Sequence, residues 1–350
     1  LDDPVKLVGS VDRPNLIFRM KTRTKALDQI VEVLNRHKNE ASIVYTLSRN
    51  DAERISSGLQ KRGIDAAHYH AGMTGKQRQK VHDRFRLDRL SVVVATVAFG
   101  MGVDRPDVGL VLHLDLPSSP EGYLQESGRA GRDGEPADVV MLYGDGDRGS
   151  LAWTIRASRD ASAEQRGRQA QSQMRLMESV AEGPGCRQQA LLLAVGELAE
   201  PCGSCDRCMT PAVLHDGQAD AVPLLVALSE APKGLEAADL AADHANDESP
   251  APLWRWRLRR LVEAELVNED DSGKRLWITT AGQAWLRRPR PLRWPEPPSA
   301  LLDQPLASSG SRQAALTRSR SKSSEGASQV FQAPPGPVTL SLRAPQLTAT

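Results

Sequence analysis

An excess of charge of either sign is missing from this chain: 45 Lys and Arg stand against 44 Asp and Glu, a formal net charge of +1. Global electrostatics therefore announce no polyanion partner, and any basic surface has to be local. Cysteine is scarce, four in 350 residues, too few for a disulfide scaffold. Three of the four crowd between Cys202 and Cys208, which points to a metal in a reducing compartment. No apolar run of about eighteen residues exists, so nothing reads as a membrane span. The segment Leu1 to Ser10 has no basic stretch followed by an apolar core and does not read as a signal peptide. Leu1-Asp2-Asp3-Pro4, without an initiator Met, reads like the middle of a linker. The expectation is a chain cut from a longer protein and located in the cytoplasm.

What is present divides by pattern, and the length allows two or three domains. Between residues 12 and 145, apolar β-branched runs at Ala41–Leu47, Ser91–Val97, Leu110–Leu116 and Val139–Tyr143 alternate with amphipathic stretches such as Asp51–Arg62 and Lys76–Leu87. Short apolar runs separated by helices predict an α/β domain with a parallel sheet covered on both faces. Residues 150 to 200 become rich in Ala, Gln and Arg, with helical spacing at Met174 and Met177 and again at Leu191, Leu192 and Val195. The cysteine cluster follows. Residues 221 to 288 predict helices over Val222–Leu228, Leu235–Ala242 and Leu253–Val267. A turn at Asp270–Lys274, a strand over Arg275–Thr279 and a final helix come next. From Pro289 onward Pro, Ser and Ala dominate, with a basic run at Arg318–Lys322, and the tail is expected to be disordered.

The most informative segment is Gln125-Glu126-Ser127-Gly128-Arg129-Ala130-Gly131-Arg132-Asp133-Gly134. Glycines before each arginine let the backbone approach closely, and two guanidiniums three residues apart suit bidentate contact with one polyanion. Taken alone, the same pattern also fits a surface turn with solvated arginines. A second segment, Val94 through Asp107, runs an apolar strand into a loop broken by Gly100 and Gly102 and then into Asp104. Ligands on open α/β sheets gather at such strand ends. Asp104 suits ribose hydroxyls and Thr96 a nucleic-acid phosphate.

Cys186-x15-Cys202-x2-Cys205-x2-Cys208 offers four thiolates, a set that suits tetrahedral zinc. A redox pair or free structural thiols are the competing readings. Four thiolates leave no open coordination position, so a metal here is structural. On the long predicted helix, Trp254, Leu258, Leu261 and Val262 share a core face, while Trp256, Arg259 and Arg260 are expected on the other. Arginine beside an aromatic ring suits duplex phosphate contact, or, with Glu263 and Glu265 nearby, is an ordinary solvated face.

Together these segments resemble the superfamily of DEAD-box and RecQ helicases, and RecQ most closely. The resemblance is carried by Arg13-Pro14-Asn15-Leu16, Ile43 through Arg49, Tyr69-His70-Ala71-Gly72-Met73 and Ala95 through Asp107. It continues through Asp115-Leu116-Pro117, Glu121-Gly122-Tyr123 and Gln125 through Gly134, and covers residues 1 to 270. The cysteine set is similar to the RecQ zinc module, with Ala194-Val195, Val180-Ala181 and Gln188 departing from the family pattern. The resemblance implies a second RecA-like lobe over 1–148, a helical zinc-binding module over 149–213, a winged-helix domain over 214–288 and a disordered tail over 289–350. It implies Arg129 and Arg132 as arginine fingers toward ATP held by a first lobe, with Gln125 ordering the motif and Gly100, Gly102 and Asp104 on the nucleotide side. Ser48, Arg49, His70, Gly72 and Thr96 would contact single-stranded DNA.

The activity implied is that of a 3′-to-5′ DNA helicase of repair, recombination and replication, associated with the nucleoid, bound at single-strand/duplex junctions. It would use ATP with Mg²⁺, and structural zinc. No Gly-x-x-x-x-Gly-Lys-Ser/Thr loop and no Asp-Glu-x-His motif occur: at Gly75-Lys76 the next residue is Gln77. The expectation is that the chain alone does not hydrolyse ATP. A non-catalytic DNA-binding module from a truncated or split gene is the alternative. An RNA helicase lobe is a third, disfavoured by the zinc cluster and the Gly-Met-Gly-Val-Asp loop.

Overall fold

A computed structural model describes residues 9–100, 105–144, 147, 163–246, 248–270 and 273–297. Six strands form one sheet: β1 (Leu16–Thr22), β2 (Ala41–Tyr45), β3 (Ala66–Tyr69), β4 (Val92–Ala95), β5 (Val108–His113) and β6 (Ala137–Tyr143). Their order is β1-β6-β5-β2-β4-β3, and every pairing is parallel. Helices α1 (Ala26–Arg36), α2 (Arg49–Gln60), α3 (Gly75–Arg86) and α4 (Pro120–Ser127) provide the crossovers.

Helix starts follow local chemistry. Ser48 caps α2 by accepting from the Asp51 amide, Thr74 closes a capping box with Gln77, and Ser119 caps α4 ahead of Pro120. Strand residues alternate between two cores, as a period of two requires. Val92, Val94, Leu110, Leu112, Val140 and Leu142 pack with Ile30 and Leu34 of α1 and Ile55 and Leu59 of α2. On the other face, Val93, Val111, Val139 and Met141 meet Phe85 of α3 and Tyr123 of α4.

The strands stop short of the apolar runs that predicted them. β2 ends at Tyr45 and β4 at Ala95. Leu47 and Val97 stand out to solvent, 38% and 74% exposed, because the chain leaves the sheet at Thr46 and Thr96. Both edge strands, β1 and β3, lie outside the predicted runs: β1 carries Arg19 and Lys21, and β3 is four residues long.

The second face is completed by the next segment. Helices α5 (Ala163–Glu182) and α6 (Arg187–Ala194) and the short α7 (Asp206–Met209) follow. Met174, Met177, Leu191, Cys186 and Cys205 belong to the same buried cluster as Phe18 and Val139. The cysteine region is thus fused to the sheet through a common core.

A separate cluster holds the remaining elements together: α8 (Gln218–Ser229), α9 (Ala237–Asp243), α10 (Ala251–Glu263) and α11 (Thr280–Arg287). They accompany a three-stranded antiparallel sheet in the order β8 (Leu235–Glu236), β10 (Arg275–Ile278), β9 (Val267–Glu269). Val267 therefore starts a strand where the sequence predicted the end of a helix. A further correction concerns the tail. Residues 293–295 form β11, which pairs with β7 (Leu214–Asp216), and Trp294 is 3% exposed against Trp256. An indole buried in this core orders the chain past Pro289, and residues 298–350 lie outside the described set.

Trp256 and Arg260 are corrected as well. Trp256 is 1% and Arg260 3% exposed, so neither projects to solvent. Trp256 packs against Trp294, and Arg260 is met by α5, whose Glu182 pairs with it and, at 3.2 Å, with Arg259. Glu263 is a second partner of Arg260 at 2.8 Å. On α10 the exposed arginine is Arg255. Among the described residues no helix is long and apolar enough to cross a membrane.

Removing one partner of a buried pair strands the other charge. Glu182→Ala is expected to destabilise the chain by about 3 kcal/mol, read as a lower urea midpoint; an unchanged midpoint would show that the pair contributes nothing.

Candidate functional site

The loop after α4 is built from behind. Gly131 has φ +55, and a Cβ there would lie 2.5 Å from the Asn15 amide nitrogen and 2.7 Å from the Glu135 carbonyl, so only glycine fits. Arg13 donates to the carbonyls of Gly128, Ala130 and Gly131 at 3.4, 3.3 and 2.6 Å. Asn15 donates to those of Gly131 and Glu135, both at 2.8 Å. Side chains from the start of the chain thus collect the loop's acceptors on one side. Sequence reasoning quoted Arg13 and Asn15 only as part of a motif; donors flanking a proline gave no sign of this task.

The two arginines carried by the loop stand in different environments. Arg129 is half-buried and donates through Nη1 to the Gly100 carbonyl at 2.6 Å. Arg132 is exposed. One position earlier than Gly100, the Phe99 carbonyl accepts from the Tyr45 hydroxyl at 2.9 Å. Tyr45 stacks on His113, centroids 5.1 Å apart, and the His113 Nε2 meets a Glu126 carboxylate oxygen at 2.7 Å. Burial raises the Tyr45 phenol well above its ordinary range, while the charges of Arg129 and Arg132 pull it back down. Gln125 is exposed on α4, Gly100 lies in the loop, and Gly102 and Asp104 fall outside the described residues.

Arg105, which follows, is 6% exposed. It anchors the far end of the loop through Asp107 at 2.9 Å, Asp88 at 2.8 Å and the Phe85 carbonyl at 2.6 Å. This loop lies where the chain crosses from β4 on one side of β2 to β5 on the other, a switch point at the carboxyl ends of the strands.

The same strand ends place the other predicted residues. The Ser48 hydroxyl is engaged in capping, donating to Asp51 Oδ2 at 2.7 Å while accepting from its amide. Arg49 is exposed and passes next to Gly72, where a Cβ would sit 3.3 Å from Nη1. His70 is 5% exposed and meets a Glu53 carboxylate oxygen through Nε2 at 2.9 Å. Thr96 is 9% exposed, its amide bonded to the Tyr69 carbonyl at 3.2 Å. Of this set, Arg49 and Gly72 are open to solvent, while Ser48, His70 and Thr96 contribute chiefly to the shape of the strand ends.

The four cysteines converge. All four sulfurs lie within 4.8 Å of one another, none is in a disulfide, and three Sγ–Sγ separations are 3.5, 3.9 and 4.0 Å. Metal–sulfur bonds of about 2.3 Å in a tetrahedron need about 3.8 Å between sulfurs, so the donor set fits zinc. Backbone amides of Arg187, Gln189, Cys202, Cys205 and Cys208 point at the sulfurs from 3.3 to 3.5 Å, the pattern that stabilises thiolates. Burial pushes the Cys202 thiol up, and donors from Ser204 and Cys205 bring it down on balance to about 7.

Arg187, 2% exposed, fixes the knuckle. It donates to Asp206 Oδ1 at 2.9 Å and to the Val180 and Gly183 carbonyls, while Asp206 Oδ2 accepts from the Met20 amide of β1 at 3.2 Å. A charged residue next to a cysteine gave no sequence signal of so buried a role.

Residues 23–134 match the helicase conserved C-terminal domain, and residues 145–209 match the RecQ zinc-binding domain. The ATP-dependent DNA helicase RecQ of Haemophilus influenzae is 39% identical over 217 residues, 62% of this chain and 35% of that protein. The ATP-dependent DNA helicase RecQ of Pasteurella multocida is 37% identical over 222 residues, 63% of this chain and 35% of its own length. ATP-dependent DNA helicase Q1 of Mus musculus is 45% identical over 144 residues, 40% of this chain and 22% of that protein. The chain thus spans about a third of the length of the two RecQ relatives. Among solved structures, the Escherichia coli DEAD-box protein SrmB bound to RraA is 26% identical over 41% of this chain and 85% of that chain, with a TM-score of 0.35.

Cys205 is fully buried and shares the core of the sheet, so metal loss should reach beyond the knuckle. Cys205→Ala is expected to lose the bound zinc and to lower the calorimetric midpoint by about 10 °C. A midpoint within a degree of the parent would rule out a structural metal.

Proposed function

This chain carries the C-terminal portion of a RecQ-family helicase, and from that premise we propose that it supplies the second half of an ATP-driven, 3′-to-5′ DNA motor. The observation that carries the reading is the loop of Arg129 and Arg132. Its acceptors are gathered behind by Arg13 and Asn15, Arg129 is held on the Gly100 carbonyl of the β4 loop, and Arg132 is exposed three residues on. Cationic groups held in place before a reaction stabilise charge that develops during phosphoryl transfer without reorganising at that moment.

In this reading a first lobe presents ATP and Mg²⁺, and closure brings Arg132 against the transferred phosphoryl. Arg129 acts from the Gly100 carbonyl as the inner partner, with Gln125 ordering the segment. Gly102 and Asp104 complete the nucleotide side. The strand-end surface around Arg49 and Gly72 holds the backbone of one DNA strand, with His70, Ser48 and Thr96 shaping the groove. The tetrathiolate set, Cys186, Cys202, Cys205 and Cys208, holds one zinc ion as a structural centre. The helix and hairpin elements over 214–297 serve as a winged-helix domain at the duplex side of a junction, in DNA repair, recombination and replication.

The test joins this chain to a first lobe of the same family. Arg132→Ala is expected to lower DNA-stimulated ATP turnover by about 10³-fold while leaving DNA affinity unchanged; undiminished turnover would refute the finger role. The chain by itself is expected to show no ATP turnover. For the DNA surface, Arg49→Ala should weaken single-strand binding at every sequence. It should also reduce the slope of log affinity against log salt by about 1, and an unaltered slope would remove Arg49 from the contact surface.

A further inference from the structure

Strand β3 ends with His68 and Tyr69, and His70 follows directly. Side chains two apart on extended backbone share a face, so the two imidazoles come together. Their rings are stacked, with centroids 5.4 Å apart and planes 13° from parallel. Above them, in the first turns of α2, Glu53 directs a carboxylate oxygen to His70 Nε2 at 2.9 Å. One donor atom from each of Glu53, His68 and His70 lies within 4.8 Å of the other two.

The His70 side chain is 6% exposed, and its Nδ1 has no hydrogen-bond partner. Without an ion the Glu53 carboxylate holds the ring proton on Nε2, and a cation would displace that proton to stand between the imidazole and the carboxylate. A neighbouring imidazole and a carboxylate are what a divalent transition cation takes, and neutral imidazole is among the commonest of metal ligands. Ligand bonds of about 2.0–2.1 Å place donors about 3.4 Å apart in a tetrahedron. The trio is looser than that, and Glu53, 53% exposed, is free to close the difference by side-chain rotation. Arg49, the nearby cation, lies on the other side of His70: the same virtual Cβ on Gly72 is 3.2 Å from His70 Nδ1 and 3.3 Å from Arg49 Nη1. The Nε2 side faces Glu53, and an ion there would take the place of the Nε2 proton.

We propose that Glu53, His68 and His70 form a second metal site, distinct from the tetrathiolate, for a divalent transition cation of the zinc class. Three protein ligands leave at least one coordination position to water or to an anionic oxygen, which the four thiolates do not. The cation lies at the strand ends where Arg49 and Gly72 are proposed to hold DNA. That consequence rests on the functional reading above, whereas cation uptake does not.

The experiment titrates Co²⁺ into the chain with its tetrathiolate centre already filled with zinc. Wild type is expected to take up one further equivalent, with the weak visible bands of nitrogen and oxygen ligation and no added thiolate charge-transfer absorption. His68→Ala and Glu53→Gln are expected to weaken that uptake more than about 100-fold, since even outer-shell partners of a metal account for about 10–100-fold. Both variants should retain the zinc of the thiolate centre. Failure of wild type to take up the second equivalent would overturn the proposal, and so would full uptake by His68→Ala. The titration contains no DNA and no nucleotide, so its failure would leave the helicase reading standing, and a failed DNA assay would leave the metal site standing.

Discussion

The partly buried Arg187–Asp206 pair is the joint on which the arrangement of the lobe and the knuckle depends. A buried ion pair is not by itself a strong stabiliser, because desolvating each charge costs several kcal/mol. Here the cost is offset by saturation: the guanidinium also donates to the carbonyls of Val180 and Gly183, which close the end of α5. Asp206 spends its other oxygen on the Met20 amide of β1. A single ion pair therefore ties a helix end, a metal knuckle and a sheet edge. With Cys186 and Cys205 in the same apolar cluster as Phe18 and Val139, the zinc-binding segment has one place to sit.

The arginine loop follows a related logic with the charges arranged differently. Its carbonyls are taken up on one side by Arg13 and Asn15, and Gly131 supplies the left-handed turn that makes them reachable. On the other side, Tyr45 and Arg129 hold two successive carbonyls, Phe99 and Gly100, of the loop that leaves β4. The segment is stiffened from both sides before any ligand arrives. Such preorganisation is what lets a cation act on a developing charge.

Much of this was legible in the sequence because it depends on residue type at fixed spacing. Four cysteines at x15, x2 and x2 have few other uses, and the central strands advertised themselves as β-branched runs because they are buried on both faces. The edge strands escaped for the opposite reason. β1 buries alternate residues only, and β3 is too short to establish a period. Trp256 and Arg260 were misplaced because a helical wheel assumes one buried face. Helix α10 is packed on two, with α5 presenting Glu182 to cations that the sequence assigned to solvent. Trp294 was hidden inside proline-rich composition, where one indole outweighs its neighbours. Long-range partners such as Arg13, Arg105 and Arg187 carry no local signature at all, since their acceptors lie in distant parts of the chain.

Asp206 also acts as an edge guard. β1 is the outer strand of the sheet, and an outer strand with unpaired amides invites a foreign strand to add itself. The carboxylate that covers the Met20 amide is held by the Arg187 guanidinium and carried on the turn between Cys205 and Cys208. Any change that displaces the Cys205–Cys208 turn would therefore bare this amide as well. Protection of the sheet margin and placement of the four sulfurs thus share one anchor, and the guarded amide lies level across the sheet with His113 and Tyr45, at the strand ends that border the arginine loop.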